Sequence, residues 1–246
     1  MQVVLHQFAF SHFNEKARWA LALKNVEYRR QTYLPGPHIP AIKKLSGQSQ
    51  TPVLQLGSEY IAGSASIIDV LEQRFEGTPL YPSDAGERSA ALDWQGSFDE
   101  QLGPAVRTIL FDAMIAHGGY ITRMFAQEKS WFKKVLYRGT FPLAKPLIAK
   151  GNGVTIPGNV EKCRQVVDAE LNKLVATVGQ SGYLAGSEFS VADLTAAALL
   201  APLAAVDHVD MARPRPLPDS LAALLEGYSA HPAIAWVNRT YQNHRR

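Results

Sequence analysis

The chain has 246 residues, of which 46% are hydrophobic and 19% charged, as expected for an ordinary globular protein large enough for two domains. Its net charge of +3 is small for this length and gives no indication of a nucleic-acid partner. The single cysteine, Cys163, excludes an intramolecular disulfide and a thiolate metal cluster and predicts a reducing, cytoplasmic setting. We expect no secretory signal at the N-terminus. The most apolar run, residues 194–206, is only about 13 residues long and predicts a buried helix rather than a membrane span.

An apolar strand at the N-terminus leads through a polar elbow at Ser11 into a helix. Apolar residues of that helix recur at helical spacing, at Phe13, Ala17, Ala20 and Leu21. Ser11 stands where the first helical N–H groups lack partners and the helix dipole favours negative charge. Two interpretations follow: a plain N-cap, or a residue that holds an anion such as a thiolate.

Three more extended segments and a second helix complete a βαβ–ββα unit. The predicted strands are residues 27–34, 51–56 and 59–62, and the helix opens at Gly63-Ser64. Residues 77–84, rich in proline and glycine, predict a linker.

The sequence pattern beyond the linker, from residue 85 to residue 246, predicts helices. The predicted segments are 85–116, stopped by Gly118-Gly119; 120–136, with a continuation to 150 interrupted by Pro142 and Pro146; 160–178; a helix capped by Ser190 and Asp193; 219–229; and a last helix begun by His231-Pro232.

Three motifs, in this order and spacing, resemble the soluble glutathione transferases. They are the helix start from Ser11 to Leu21 with Arg18, the segment Thr51-Pro52-Val53-Leu54, and the helix start Gly63-Ser64-Ala65-Ser66-Ile67. The resemblance implies a thioredoxin-like α/β domain with a mixed four-stranded sheet over residues 1–76. It further implies a linker at 77–84 and an all-α helical bundle at 85–246.

The resemblance also implies a set of roles around glutathione. Ser11 would donate its hydroxyl to the thiolate as the catalytic residue of a serine-type site, and the cis-proline Pro52 would leave the backbone of Thr51 free to pair with the cysteinyl unit. Ser64 would bind the γ-glutamyl carboxylate at a helix N-terminus, and Gln50 the glycyl carboxylate. The alternatives are plain capping for Ser64, an edge-strand proline with a folding role, and an exposed loop glutamine.

The sequence departs from the family pattern at Gly63, where an acidic residue is usual. As a hypothesis, Asp93 or Asp99 of a partner subunit substitutes for that acid; the favoured alternative makes both solvated helix-surface acids. His12 follows Ser11 where proline is common, and it either tunes the site or is exposed.

A pocket for the second substrate is expected between the elbow and the long helices. The candidates from position are Phe10, His12, Phe13, Phe111 and Met114, although aromatic and Met residues at helical spacing also build cores.

The stretch 129–150 carries six basic residues among aromatic ones, without an acid after Glu128. Such a stretch suits a membrane surface or an anionic partner. We expect instead a solvated helix face with its aromatic residues packed inward, and no membrane contact. The histidines lack ligand spacing, so no metal is expected.

The resemblance implies a detoxifying glutathione transferase, a cytoplasmic homodimer that activates glutathione for conjugation to a small hydrophobic electrophile. The alternatives are a glutathione transferase-like binding or regulatory module with weak catalysis, and a glutathione-dependent peroxidase, isomerase or dehalogenase.

Overall fold

Four short strands from the first 62 residues form one mixed sheet in the computed structural model, which describes residues 2–179 and 181–245. The strands are β1 (Val3–Phe8), β2 (Arg29–Tyr33), β3 (Val53–Leu56) and β4 (Glu59–Ala62), in the spatial order β2-β1-β3-β4. β1 pairs in parallel with β2 and antiparallel with β3, and β3 and β4 form a hairpin.

Three helices belong to the same unit: α1 (His12–Leu23), α2 (Ile39–Ser46) and α3 (Ser64–Arg74). α1 supplies the crossover that a parallel β1–β2 pair needs. α3 buries its Ile67, Ile68 and Leu71, as the sequence periodicity predicts.

From Ala85 onward the described residues form helices and connections without a strand. The α-helices are α4 (Ala85–Ser97), α5 (Gly103–Ile115), α6 (Gly118–Phe125), α7 (Trp131–Gly151), α8 (Asn159–Val178), α9 (Val191–Ala204), α10 (Asp219–Ser229) and α11 (Pro232–His244). The predicted fold class is confirmed. Residues 75–84 contain neither helix nor strand, and the exact domain boundaries stay a prediction. No helix within the described ranges is long and apolar enough to cross a bilayer.

α9 forms the centre of the helical part, because every one of its residues is buried. Its start is fixed by the predicted capping box, in which the Asp193 carboxylate accepts from the backbone N–H groups of Ser190, at 2.9 Å, and Leu184, at 2.8 Å. Burial raises the pKa of this carboxyl to about 6, against the opposing effect of these hydrogen bonds. The capping prediction is confirmed.

The long helix predicted over 85–116 is interrupted. A π-helical turn at Phe98–Leu102 separates α4 from α5, just before Pro104, which has no N–H to donate. The Gly118-Gly119 pair was expected to end a helix, whereas it forms the first turn of α6. α6 ends at Phe125, so the prediction of one segment over 120–136 is also wrong.

The predicted interruption at Pro142 and Pro146 is wrong as well, because α7 runs through both residues. Each proline removes one backbone hydrogen bond. Both lie on the exposed side of the helix, where water can bind the freed carbonyl groups. Packing of Tyr137 and Phe141 on the opposite side holds the helix together.

α1 is the most enclosed helix of the N-terminal unit, since nine of the ten residues from His12 to Leu21 are buried and only Phe13 is not. Among them are three charged residues, each with partners distant in sequence. Lys16 binds Asp99 at 2.6 Å, while Arg18 and Glu15 belong to an ion-pair network with Asp210 and Arg245. These pairs join α1 to the helical part.

The Lys16–Asp99 pair gives a first prediction. Lys16 is fully buried, and burial lowers its pKa against the opposing effect of Asp99. Asp99→Ala leaves this ammonium group without a partner, so we expect a loss of about 3–5 kcal/mol in the free energy of unfolding at pH 7. The loss shrinks as the pH rises toward 10, because deprotonation of Lys16 removes the buried charge. Guanidinium unfolding at pH 7 and pH 9.5 measures both effects.

The control is Asp93→Ala, an exposed acid of α4 shortly before the π turn, for which we expect a change within about 0.5 kcal/mol. An Asp99→Ala loss as small as that, or one independent of pH, would contradict the ion-pair account.

Candidate active site

Two adjoining cavities bring the predicted site residues together. The first, which we call the polar cleft, has a volume of about 520 Å³ and is lined by Gln50, Thr51, Pro52, Gly63 and Ser64. It lies between the start of β3, the N-terminus of α3 and the α4–α5 region. A larger cleft of about 770 Å³, beside the linker and the end of α11, contains none of the predicted residues.

The second cavity, the apolar pocket, has a volume of about 310 Å³ and lies between the elbow and the helical part. All five predicted pocket residues line it: Phe10, His12, Phe13, Phe111 and Met114. Ser11 lines it too. Phe13, Gln50, Thr51 and Arg107 line both cavities, so the two are neighbours. Phe10 and Met114 are also part of the buried core, so these residues both build the core and line the pocket.

Ser11 is the N-cap of α1, with an extended backbone (φ −166°, ψ 129°) that turns the chain from β1 into the helix. Its Oγ accepts from the Asn14 N–H at a long 3.5 Å. Within the described ranges the Ser11 hydroxyl donates to no acceptor, so its hydrogen is available to a ligand. Ser11 is therefore an N-cap, as the first interpretation holds. Capping uses only an acceptor of the hydroxyl, so its hydrogen stays available for binding an anion, as the second interpretation requires.

Thr51 and Pro52 join through a cis peptide bond, as the resemblance implies. The Pro52 carbonyl accepts from the Gly63 N–H at 3.0 Å, which ties the start of β3 to the start of α3. The backbone N–H and C=O of Thr51 have no backbone partner within the described ranges. The Asn14 side chain donates to Thr51 Oγ1 at 3.2 Å and so links α1 to this segment.

Ser64 is the first residue of α3 and is buried, and its hydroxyl has no hydrogen-bond partner in the described part of the chain. The preceding Gly63 is the N-cap and has φ +92°, a backbone conformation that favours glycine. The free N–H groups of the first helical turn also face this end of the cleft. The arrangement suits a carboxylate.

Gln50 is exposed, and its backbone is held by the neighbouring Gln48. The Gln48 amide donates to the Gln50 carbonyl at 3.1 Å and accepts from the Gln50 N–H at 3.3 Å. Gln48 also lines the polar cleft. The sequence did not indicate this residue as part of the site, because a glutamine in a loop has no local pattern that marks a binding role.

His12 is buried, so the exposed alternative is wrong. Its Nε2 donates to the Gly103 carbonyl at 3.0 Å. Burial, with a smaller contribution from the Arg107 charge, lowers its pKa to about 3. The imidazole is therefore neutral at physiological pH and positions the elbow against α5 without adding charge to the pocket.

Arg107, on α5, is the functional candidate that sequence reasoning missed. It is the only Asp, Glu, Lys or Arg among the described residues that line the apolar pocket. Its Nε is buried without a hydrogen-bond partner, and burial lowers its pKa. The sequence offers no signal for it, since an arginine inside a helix is usually a surface residue.

Asp99 is also in the polar cleft, and the expectation of a solvated surface acid is wrong for it. One carboxylate oxygen binds Lys16 at 2.6 Å, and the other, Oδ1, is buried without a partner among the described residues. Asp93 is exposed, as expected. The cleft that lacks an acid at residue 63 thus contains another acid of the same chain, Asp99.

Among the described residues, one group of side chains has a spacing compatible with a metal ion: Glu15, His208 and Asp210 present atoms within 4.8 Å of one another. Both carboxylates are already bonded to arginines, Glu15 to Arg18 and Arg245, and Asp210 to Arg30 and Arg245. We assign the group to the ion-pair network rather than to a metal site.

Comparison with known proteins supports the fold. Residues 5–79 match the family model described as the N-terminal domain of glutathione S-transferase. Over these residues the chain resembles a glutathione S-transferase N-terminal domain, and its two-part fold is shared with solved glutathione S-transferase structures.

Curated relatives match over part of their length. Glutathione S-transferase 1 of Dianthus caryophyllus is 36% identical over 96 residues, which are 38% of this chain and 42% of the relative. A probable maleylacetoacetate isomerase of Caenorhabditis elegans is 31% identical over 90 residues, 36% of this chain and 42% of the relative. The matched segments thus span less than half of these relatives.

Solved structures match over nearly the whole chain. The beta-etherase LigF from Sphingobium sp. strain SYK-6 superposes with a TM-score of 0.63 at 21% identity, covering 98% of this chain and 100% of the other. A glutathione S-transferase from Methylobacillus flagellatus with glutathione bound gives a TM-score of 0.63 at 16% identity, covering 100% and 96%. At these identities the likeness concerns the fold.

Gly63 provides a prediction for the polar cleft. A Cβ added there meets no atom within 4 Å, yet the backbone has φ +92°. Gly63→Ala therefore costs conformational strain alone, and we expect it to lower the free energy of unfolding by about 1–2 kcal/mol.

The matched control is Gly96→Ala in α4, which also meets nothing within 4 Å but is helical. We expect it to stabilise by about 0.5–1 kcal/mol. Urea unfolding of both variants tests the difference in sign; two changes of the same sign would refute it.

Proposed function

We propose that this protein is a glutathione transferase that ionises the glutathione thiol with Ser11 and conjugates it to a small apolar electrophile. One observation carries the proposal: Ser11, with a free hydroxyl hydrogen, lines the apolar pocket beside residues that line the polar cleft as well. A peptide in the cleft and an apolar molecule in the pocket would meet at this serine.

Glutathione would lie in the polar cleft as an extended peptide. The unpaired backbone groups of Thr51 bind its cysteinyl unit, and Ser64 with the first turn of α3 binds the γ-glutamyl carboxylate. Gln50 lies within the same cleft for the glycyl carboxylate. The free oxygen of Asp99 takes the part of the acid that residue 63 lacks, as acceptor for the γ-glutamyl amino group.

The chemistry then depends on the charge of sulfur. A free thiol with a pKa of about 8.5 is only a few per cent ionised at pH 7. A hydrogen bond from Ser11 to the thiolate, together with the positive potential of Arg107, favours the charged form and lowers this pKa. The thiol proton leaves to solvent. The sulfur lone pair forms a bond to the electrophilic carbon held in the pocket, and the leaving group departs with its electron pair.

The remaining expectations belong to this proposal. A homodimer, a cytoplasmic location and a role in detoxification are inferred from the resemblance to glutathione transferases. The alternative of a binding or regulatory module differs in one measurable property, because a module without turnover has no need to ionise the thiol.

Ser11→Ala tests the proposal directly. We expect the pKa of bound glutathione, followed by the ultraviolet absorbance of the thiolate, to lie well below 8.5 in the natural protein and to return toward that value in the variant. The conjugation rate at pH 7 falls about tenfold or more, since the thiolate fraction falls accordingly.

The matched control is Ser66→Ala, an exposed serine of the same cleft, which leaves the thiol pKa unchanged. If glutathione binds without any thiolate signal in the natural protein, or does not bind at all, the transferase proposal is refuted and the binding or regulatory module is favoured.

Arg107→Met separates function from stability. The guanidinium is partly buried without an acidic partner among the described residues, so its removal relieves a desolvation cost. We expect the free energy of unfolding to rise by about 1–2 kcal/mol. In the same variant the bound thiol pKa rises and glutathione binds more weakly, because the cavities lose their positive potential.

Arg239→Met, at an exposed position of α11, is the control and leaves both quantities unchanged. Urea unfolding and the thiolate titration measure them. A destabilised Arg107→Met with unaltered thiolate titration would show a purely structural arginine.

A further inference from the structure

Helix α7 packs on the protein by one narrow face. At 100° per residue, Tyr137, Phe141, Ala144 and Ile148 share one side of the helix, and the three larger residues are less than 9% exposed. The Tyr137 hydroxyl donates to the Pro35 carbonyl at 3.1 Å, which fastens the helix to the loop before α2. The orientation of α7 is therefore fixed.

The opposite side of α7 is apolar and exposed to solvent. We call it the apolar face of α7; it consists of Trp131, Phe132, Val135, Leu136, Leu143 and Leu147, which are 55–85% exposed. Only Gly139, Pro142 and Pro146 lie between them on this side. The expectation that the aromatic residues of this stretch pack inward is wrong for Trp131, at 75% exposed, and Phe132, at 61%.

This concentration of apolar surface is unusual for the molecule. Of the large hydrophobic residues exposed in the described part of the chain, Tyr60, Leu92, Ile156, Val175 and Val209 are the only ones outside the apolar face of α7. A contiguous exposed apolar patch on a folded protein marks an interaction site.

Basic residues border the apolar face of α7. Lys134, Arg138 and Lys145 follow one edge at helical spacing, Lys133 lies toward the other edge, and Lys150 lies near the C-terminal end. None of these five has an acidic partner in the described part of the chain. No Asp or Glu occurs from residue 129 to residue 160, so the positive charge of this region is uncompensated.

We propose that α7 docks on an anionic lipid surface. The helix would lie in the plane of the membrane interface with its apolar face among the headgroups and upper acyl chains, while the bordering cations contact lipid phosphates. Charge complementarity favours this occupant over a second copy of the chain, because two such faces in contact would oppose five cations with five cations.

The C-terminal end of α7 connects its apolar face with the apolar pocket. Leu147 belongs to the apolar face and also lines the apolar pocket, together with Ile148, Gly151 and Asn152. A docked helix therefore places one wall of that pocket at the lipid surface, where apolar molecules concentrate. The docking itself rests on the exposed face and its charges, independently of the proposed transferase activity.

The experiment is flotation of the full chain with vesicles of phosphatidylcholine containing 30% phosphatidylglycerol, and with vesicles of phosphatidylcholine alone. We expect at least tenfold tighter binding to the anionic vesicles, weakened by raising the salt from 50 to 500 mM. Equal partition between the two vesicle types, or no binding to the anionic ones, would overturn the proposal.

Two matched variants locate the contact. The triple variant Trp131→Ser, Leu136→Ser, Leu143→Ser changes only exposed side chains and is expected to lose at least tenfold in vesicle binding. The control Leu92→Ser, Val175→Ser, Val209→Ser changes exposed apolar residues elsewhere and is expected to bind as the natural protein does. Equal binding by both triple variants would remove α7 from the contact.

Two further measurements complete the test. Of the four tryptophans, Trp131 is exposed, Trp94 is half-buried, and Trp19 and Trp236 are buried. Brominated lipid is therefore expected to quench the tryptophan fluorescence of the natural protein and to quench that of Trp131→Phe markedly less. This readout decides the question even if the triple variant fails to fold. Sedimentation velocity tests whether a second copy of the chain covers the apolar face of α7 instead. If the natural protein self-associates, the triple variant does not, and neither binds vesicles, the face belongs to a second copy and the lipid proposal is overturned.

Discussion

The pairing of buried charges on α1 is the constraint on which the rest of this structure depends. Lys16 and Glu15 are fully buried and bind Asp99 and Arg245, which lie 83 and 230 residues further along the chain. A buried charge without a partner is costly, so α1 is stable in this position only when the helical part is docked on it. Because Ser11 caps the same helix, docking also fixes where the serine lies.

The candidate site is a product of that docking. The sheet and α3 contribute the polar cleft, with Thr51, Pro52 and Ser64, while α5 contributes Phe111, Met114 and Arg107 to the apolar pocket. Each cavity needs both halves, because Phe10 and Phe13 of the N-terminal unit also line the apolar pocket, and Asp99 and Arg107 of the helical part also line the polar cleft. A reaction between a polar peptide and an apolar molecule requires both cavities, which explains why the elbow at Ser11, where they meet, is the position at which chemistry is expected.

Two features of the molecule depart from the usual pattern in which buried charges are paired and apolar side chains are buried. Within the part of the chain that the structure describes, Arg107 keeps a partly buried guanidinium without an acidic partner, and α7 exposes an apolar face that ordinary folding would bury. Departures of this kind cost stability and are expected where a protein binds something else. In this chain they lie close together, since the end of α7 and Arg107 line the same pocket.

The sequence by itself determined the elements of the N-terminal unit and the local caps that start α1 and α9. The alternation and helical periodicity of residues 3–76, the caps at Ser11 and Ser190, and the Thr51-Pro52 pair depend on neighbours within a few residues, and the structure contains all of them. Tertiary structure alone decided what depends on distant partners. The burial of Lys16, the place of Asp99 in the cleft and the lack of an acidic partner for Arg107 among the described residues have no local signature. A charged residue in a helix looks the same in sequence whether it faces water or a partner far along the chain. The continuation of α7 through Pro142 and Pro146 was decided in the same way, since packing of Tyr137 and Phe141 outweighs the local cost of the prolines.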